Sequence, residues 1–282
     1  MRIIRALCWL LVLIAAPAAA ATSPALQTFE QQLATLINSK PGNYGVAALD
    51  LKTGEMISVR GDVPFPMAST VKIAVAANYL AQVEHGRRTL DDRIKGRSAR
   101  ALIDAMLIHS DNYATDILIR DLGGPRTLQA WLDQQGIRGL RIDRTIAQLL
   151  ASPRDLWDVR DSSTPRAMVE LLSRLDSGKL LQPESRSYLL DVMSRCQTGK
   201  NRMRALLPSW ARVEHKTGTL NGYTSDVGYV TLHDGRRLAI AIFARGGSDR
   251  PATIAWAARA IYDGFNRLIA PYRSQASAFS AP

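Results

Sequence analysis

Residues 65–86 read FPMASTVKIAVAANYLAQVEHG, and the rest of the chain is best understood outward from them. From Ser69 to His85 the pattern is helical, and Gly86 stops it. Ser69 and Lys72 stand three residues apart at the start of that helix, so they share a face. A serine hydroxyl is a poor nucleophile near neutral pH and needs an adjacent base. Lysine ordinarily holds its proton, with a pKa of about 10.4. Burial and a second nearby cation lower that value, and the neutral amine then accepts the serine proton. The start of a helix adds backbone N–H groups and a positive dipole end beside a developing oxyanion. As a four-residue string, S-x-x-K is common, and it also describes the first turn of any polar-capped helix.

Towards the N-terminus, residues 25–39 have helical periodicity, and residues 43–50 and 55–60 read as strands around a turn at Lys52-Thr53-Gly54. Towards the C-terminus, strand patterns stop until residue 212. Helices are predicted at 98–108, 112–122 and 126–135, the last bracketed by Pro125 and Gly136. Thr164-Pro165 opens another, with Thr as cap and Pro in the first turn. Strands return near 212–216, 227–232 and 238–244, with a hairpin turn at His233-Asp234-Gly235-Arg236. A final helix is predicted over 252–268, and 272–282 reads as a frayed tail. This order predicts an α+β fold: a five-stranded antiparallel sheet flanked by terminal helices, with an inserted all-helical lobe. Residues 22–65 and 206–282 are assigned to the α/β lobe and 66–205 to the helical one. The active site is expected in the cleft between them.

Residues 1–21 read as a secretory signal: Arg2 and Arg5, an apolar run from Ile3 to Ile14, then Ala19-Ala20-Ala21. A periplasmic or secreted protein is therefore expected, without a membrane span after signal removal. Of the two cysteines, Cys8 lies in the apolar run, which leaves Cys196 as a single spare thiol. The chain carries +11 in all, and +9 without Arg2 and Arg5. Its arginines are scattered and not interleaved with aromatic residues, so nucleic acid is not an expected partner. The four histidines, His85, His109, His215 and His233, lack ligand spacing, so no metal or other cofactor is expected. A monomer is expected.

Two further motifs follow Ser69-Thr70-Val71-Lys72: Ser110-Asp111-Asn112 and Lys216-Thr217-Gly218. Each is weak alone; SDN is an ordinary capping string. Lys52-Thr53-Gly54 is a second KTG, explained as a hairpin turn, whereas Lys216 follows a strand-like run and precedes another strand. Taken together and in order, the three resemble the class A β-lactamase and penicillin-binding-protein family. Phe65-Pro66-Met67-Ala68, Arg160 to Pro165, Ser225-Asp226-Val227 and Ala257 to Tyr262 add to the resemblance, which covers most of the chain. It implies that Ser69 attacks a β-lactam or peptide carbonyl and that Lys72 is the base or proton relay. It implies that Ser110 protonates the leaving nitrogen and Asn112 holds the substrate's amide side chain. Lys216, Thr217 and Gly218 would line the carboxylate site, and the N–H groups of Ser69 and Thr219 would form the oxyanion hole.

The sequence departs from this pattern in three places. The family's Ω loop corresponds to Arg144–Asp161, a possible ion pair at its neck. Its hydrolytic glutamate falls on Ile146 and its asparagine on Leu150, and the loop contains no glutamate. Gln148 cannot take a proton usefully, and Asp155 and Asp158 serve only if the loop folds differently. The stretch from Ser69 to Ser110 is shorter than the resemblance implies, which suggests an open mouth. The family's carboxylate-binding arginine is missing near Thr224, and Arg250 is a candidate substitute. A β-lactamase-like hydrolase with slow or atypical deacylation is therefore the first expectation. A D,D-peptidase on peptidoglycan stem peptides is the second, and a penicillin-binding or sensing module without turnover the third.

Overall fold

The computed structural model describes residues 23–153 and 155–278, with side chains to residue 268. The expected signal, residues 1–21, lies outside the described residues. Ser23 caps α1 (Pro24–Asn38) by accepting the Leu26 N–H, and Leu26, Phe29, Leu33 and Ile37 form its buried stripe. β1 (Asn43–Asp50) and β2 (Met56–Val59) form the expected hairpin. Asp50 holds the turn by accepting the N–H groups of Lys52 and Thr53, which gives Lys52-Thr53-Gly54 its turn role.

β3 (Phe65–Pro66) leads into a 3-10 turn, Ala68–Val71, that continues as α2 (Lys72–Glu84). The helix predicted from Ser69 thus starts as a tighter turn. A small hairpin of β4 (Arg93–Ile94) and β5 (Arg97–Ser98) precedes α3 (Ala99–Ile108), α4 (Asn112–Asp121) and α5 (Pro125–Gln134). Then come α6 (Ile146–Ala151), β6 (Ser162–Ser163), α7 (Pro165–Asp176) and α8 (Pro183–Ser194). Neither α6 nor α8 was expected from periodicity. α6 is a six-residue helix held by a Thr145–Gln148 capping box, and α8 buries only Leu189, Val192 and Met193, near its end. The stretch expected to lack strands also contains a two-residue ladder, β4–β5, and β3 forms another with β6.

The chain closes with β7 (Val213–Leu220), β8 (Tyr223–Thr231), β9 (Arg237–Arg245) and α9 (Arg250–Ala278). The five-stranded antiparallel sheet has the order β2-β1-β9-β8-β7. Lys216-Thr217-Gly218 lies inside β7, not beyond its end as expected: the strand is polar at its centre, and its pairing with β8 carries it through the motif. Alternation along β9 splits the core. Leu238, Ile240, Ile242 and Ala244 pack with α1 and α9, including Leu33, Ile37, Ile261 and Phe265. Ala239, Ala241 and Phe243 face the other way, with Phe65 and α2, α3 and α7. α2 is buried along most of its length, from Lys72 to Ala81, as suits a central helix.

Candidate active site

Ser69 sits in the 3-10 turn that precedes α2, between two fixed pieces of backbone. Met67 donates its N–H to Asp161 O at 2.8 Å, and the Thr70 hydroxyl donates to Met67 O at 2.7 Å. Ala68, just before Ser69, has φ +48, a conformation unusual outside glycine and often found where a site holds its backbone under constraint. The KTG strand lies against this turn. A Cβ on Gly218 would come within 2.7 Å of Met67 O and would collide with the Ser225 hydroxyl, so only glycine permits the approach.

Lys72 is fully buried and donates to Ser110 O at 2.7 Å, to Asn112 Oδ1 at 2.8 Å and to Ser110 Oγ at 3.1 Å. Lys216, also fully buried, reaches the same Ser110 Oγ at 3.0 Å and Thr217 O at 2.9 Å. One hydroxyl therefore joins two amines. Ser110 has φ +61, Asp111 caps α4 by accepting the Ala114 N–H at 2.9 Å, and Asn112 is the first helical residue. The capping reading of SDN thus holds for Asp111, while its two neighbours face Lys72. Burial, then the Lys216 charge, lower the Lys72 pKa to about 7. Burial lowers Lys216 to about 8, against support from Cys196 and Asp226. The two amines are thus set apart, with Lys72 the easier to deprotonate.

The structure brings Ser69, Lys72, Ser110, Asn112, Lys216, Thr217, Gly218 and Thr219 together from the turn before α2, the start of α4 and β7. Arg250 lies one strand further over: it donates to the hydroxyl of Thr224, the β8 partner of Thr219, and to the carbonyls of Gly246 and Gly247. Arg202 is the cation beside the motif: it donates to Thr219 Oγ1 at 2.7 Å and to the carbonyls of Gly218 and Ser225 at 3.0 Å. Sequence reasoning missed it because it lies in a loop without a motif, and only the folding of that loop along β7 brings it there.

Arg144 and Asp161 form the neck pair, Nε to Oδ2 at 2.6 Å, and Arg144 also reaches Asp158 at 3.2 Å. Ile146, 6% exposed, packs in the core cluster, and the Asp116 carboxylate accepts the N–H groups of Ile146 and Ala147. Leu150 is exposed. Asp155 turns back to the Trp157 N–H, and Asp158 is held by Arg160 and Arg144; the hydrogen bonds from Arg160, with the two charges behind them, bring its pKa down to about 2. Both loop carboxylates are committed to local partners. Among the described residues, no group of three His, Cys, Asp or Glu side chains is placed to hold a metal ion.

The model of the β-lactamase enzyme family matches residues 28–265. β-Lactamase L2 of Stenotrophomonas maltophilia is 35% identical over 221 residues, covering 72% of this chain and 72% of that protein. The carbapenem-hydrolysing β-lactamase KPC of Klebsiella oxytoca is 30% identical over 248 residues, 79% of this chain and 84% of that protein. The solved class A β-lactamase of the last common ancestor of Gram-negative bacteria superposes with a TM-score of 0.79 at 35% identity, covering 84% of this chain and 99% of that one. The α+β architecture, the buried lysine pair joined by a serine hydroxyl and these matches agree: the chain belongs to the β-lactamase enzyme family, as a serine hydrolase of class A type.

Proposed function

We propose that this protein opens β-lactam rings through an acyl-enzyme on Ser69 and releases the product slowly. The observation that carries this reading is Ser110 Oγ, at 3.1 Å from Lys72 and 3.0 Å from Lys216, next to a loop whose Ile146 supplies no carboxylate. In acylation, neutral Lys72 takes the Ser69 proton as Ser69 Oγ bonds to the lactam carbonyl carbon. The N–H groups of Ser69 and Thr219 hold the oxyanion. The C–N bond then breaks. Ser110 gives its proton to the departing nitrogen and is reprotonated by Lys72. Asn112 steadies the substrate's amide side chain, and Lys216, Thr217 and Arg202 hold its carboxylate. Arg202 is placed first in this role because it touches Thr219 itself, whereas Arg250 touches Thr224, the partner of Thr219 in β8. In deacylation, water attacks the ester and Lys72 is the one base left at hand. A dedicated general base contributes roughly 10²–10⁴-fold, so its loss accounts for slow release.

Residues 66–205 form one lobe in this reading and 22–65 with 206–282 the other, with the site between them in an exported, monomeric protein. The Ile146 environment also favours a second activity, D,D-peptidase action on peptidoglycan stem peptides, which needs no Ω-loop glutamate. Purified protein mixed with a chromogenic cephalosporin, followed by colour and intact mass, tests the proposal. Continuous colour with a transient adduct is expected. A stoichiometric burst with a permanent adduct favours the peptidase or a sensor without turnover. An adduct that persists in Ser69→Ala removes Ser69 as nucleophile.

A further inference from the structure

Behind the KTG strand lies a second polar cluster that the acylation chemistry leaves unused. Cys196 is buried at the end of α8, with its Sγ 3.3 Å from Thr198 Oγ1. Thr198 Oγ1 in turn lies 2.6 Å from Thr217 Oγ1. Sulfur or oxygen can be the donor in the first contact and either hydroxyl in the second, so the pair of bonds can run in either direction, and Sγ also reaches the Thr198 carbonyl at 3.9 Å. On the same face of β7 as Thr217, the fully buried His215 contacts Asp226 Oδ1 through Nδ1 at 2.7 Å. Asp226 Oδ2 is anchored by the Met203 N–H at 3.1 Å. His215 Nε2 has no well-aligned hydrogen-bond partner and lies against Cys196, near enough for each group to set the ionisation of the other. Gly228, opposite His215, permits the close approach of the β7 backbone, because a Cβ there would collide with Glu214 O and come within 2.6 Å of His215 Cα.

We propose that Cys196 sets the direction of the Cys196–Thr198–Thr217 relay, and so decides whether Thr217 turns its proton towards a bound carboxylate or away from it. This rests on the reading that Lys216 and Thr217 hold the substrate carboxylate. A neutral thiol both donates and accepts, so it permits the direction in which Thr198 donates to Thr217 and the Thr217 proton points outward. A thiolate only accepts. Thr198 must then donate to sulfur, Thr217 donates to Thr198, and no Thr217 proton remains for the substrate. Burial opposes the thiolate, but the adjacent His215, with Lys216 and Thr198, brings the Cys196 pKa down to about 6. Burial likewise opposes the imidazolium, but Asp226 and Cys196 raise His215 to about 9. The carboxylate site should therefore weaken as pH rises through about 6.

The charged groups around the relay are Lys216 beside it, Lys72 from α2, Arg202 from the loop after α8 and Asp226 from β8. Lys72 and Lys216 lose charge near 7 and 8, so their effects on anion binding lie at higher pH; the Cys196 charge supports that of Lys216, so the Lys216 step moves downward when Cys196 is replaced. The test is the pH dependence of equilibrium binding of benzylpenicillin and of its methyl ester to Ser69→Ala protein, in which acylation does not compete. The acid should bind about tenfold more weakly as pH rises through about 6, the worth of one hydrogen bond to a charged group, while the ester shows no such step. The step should vanish when Cys196→Ser or Cys196→Ala is added. A step that survives both variants, or is absent with Cys196 present, overturns the proposal. The ultraviolet thiolate titration of the unsubstituted mature protein is read independently of penicillin binding. Ionisation near pH 6 that moves upward in Thr198→Val supports the relay, and ionisation in the ordinary thiol range overturns it. Failure of Ser69 labelling by penicillin, in contrast, overturns the functional reading and leaves this titration to judge the relay.

Discussion

Ser110 is the residue on which the two lysines converge, and its backbone is held at φ +61 to put it there. With Lys72 near 7 and Lys216 near 8, the useful state has Lys72 neutral and Lys216 charged. Raising the pH through about 7 deprotonates Lys72 and increases acylation. Raising it through about 8 discharges Lys216 and weakens carboxylate binding. The second-order acylation constant for a penicillin should therefore trace a bell with its maximum between these values. A profile still rising above pH 9 would remove Lys216 from the carboxylate site. At Ile146, glutamate should raise the deacylation rate of a trapped penicillin, by at most the roughly 10²–10⁴-fold that a general base supplies. It should also lower stability by about 1–3 kcal/mol, because Ile146 lies in the apolar core with the Asp116 carboxylate on its N–H. Stopped-flow deacylation and denaturant unfolding measure the two effects separately. An unchanged deacylation rate would mean that this position does not face the ester.

At the scale of elements, the loop from Arg144 to Asp161 is closed by its neck. Asp161 takes the Arg144 side chain and the N–H groups of Asp143 and Arg144, and its own carbonyl holds Met67, two residues before Ser69. Further along, Arg245 lies between the rings of Phe65 and Trp157 and donates to Leu156 O. The loop and the nucleophile's turn are thus one unit. Asp161→Asn leaves a buried Arg144 charge poorly paired and should cost about 3 kcal/mol. Loop proteolysis should accelerate and Ser69 labelling should slow. Unchanged thermal unfolding would show that Asp158 alone suffices to neutralise Arg144.

At the scale of the molecule, the sheet separates two cores, and β9 supplies side chains to both. Phe243 stacks on Phe65 with ring centroids 6.0 Å apart, which ties the sheet to the segment that leads to Ser69. Phe243→Ala should cost about 3–5 kcal/mol in denaturant unfolding, with the labelling rate falling in parallel. Full labelling in a destabilised protein would show that the turn is held independently of the sheet.

The five main strands, the α+β class, the terminal helices and most helix starts were legible in the sequence, because they rest on local periodicity and on capping residues such as Ser98, Thr164 and Pro165. The three site motifs were also legible, since Ser69 and Lys72 are neighbours on one turn and Ser110 and Asn112 flank a capping aspartate. Only the tertiary structure decided the rest. It continued β7 through Lys216-Thr217-Gly218, because a polar strand is defined by its partner and not by its own pattern. It placed Arg202 against Thr219 and Arg250 against Thr224, the partner of Thr219 in β8, because the distances between loop side chains depend on packing. It also set His215 and Asp226 beside Cys196, three residues whose chemistry arises from burial and from one another's charge, neither of which a sequence spacing carries.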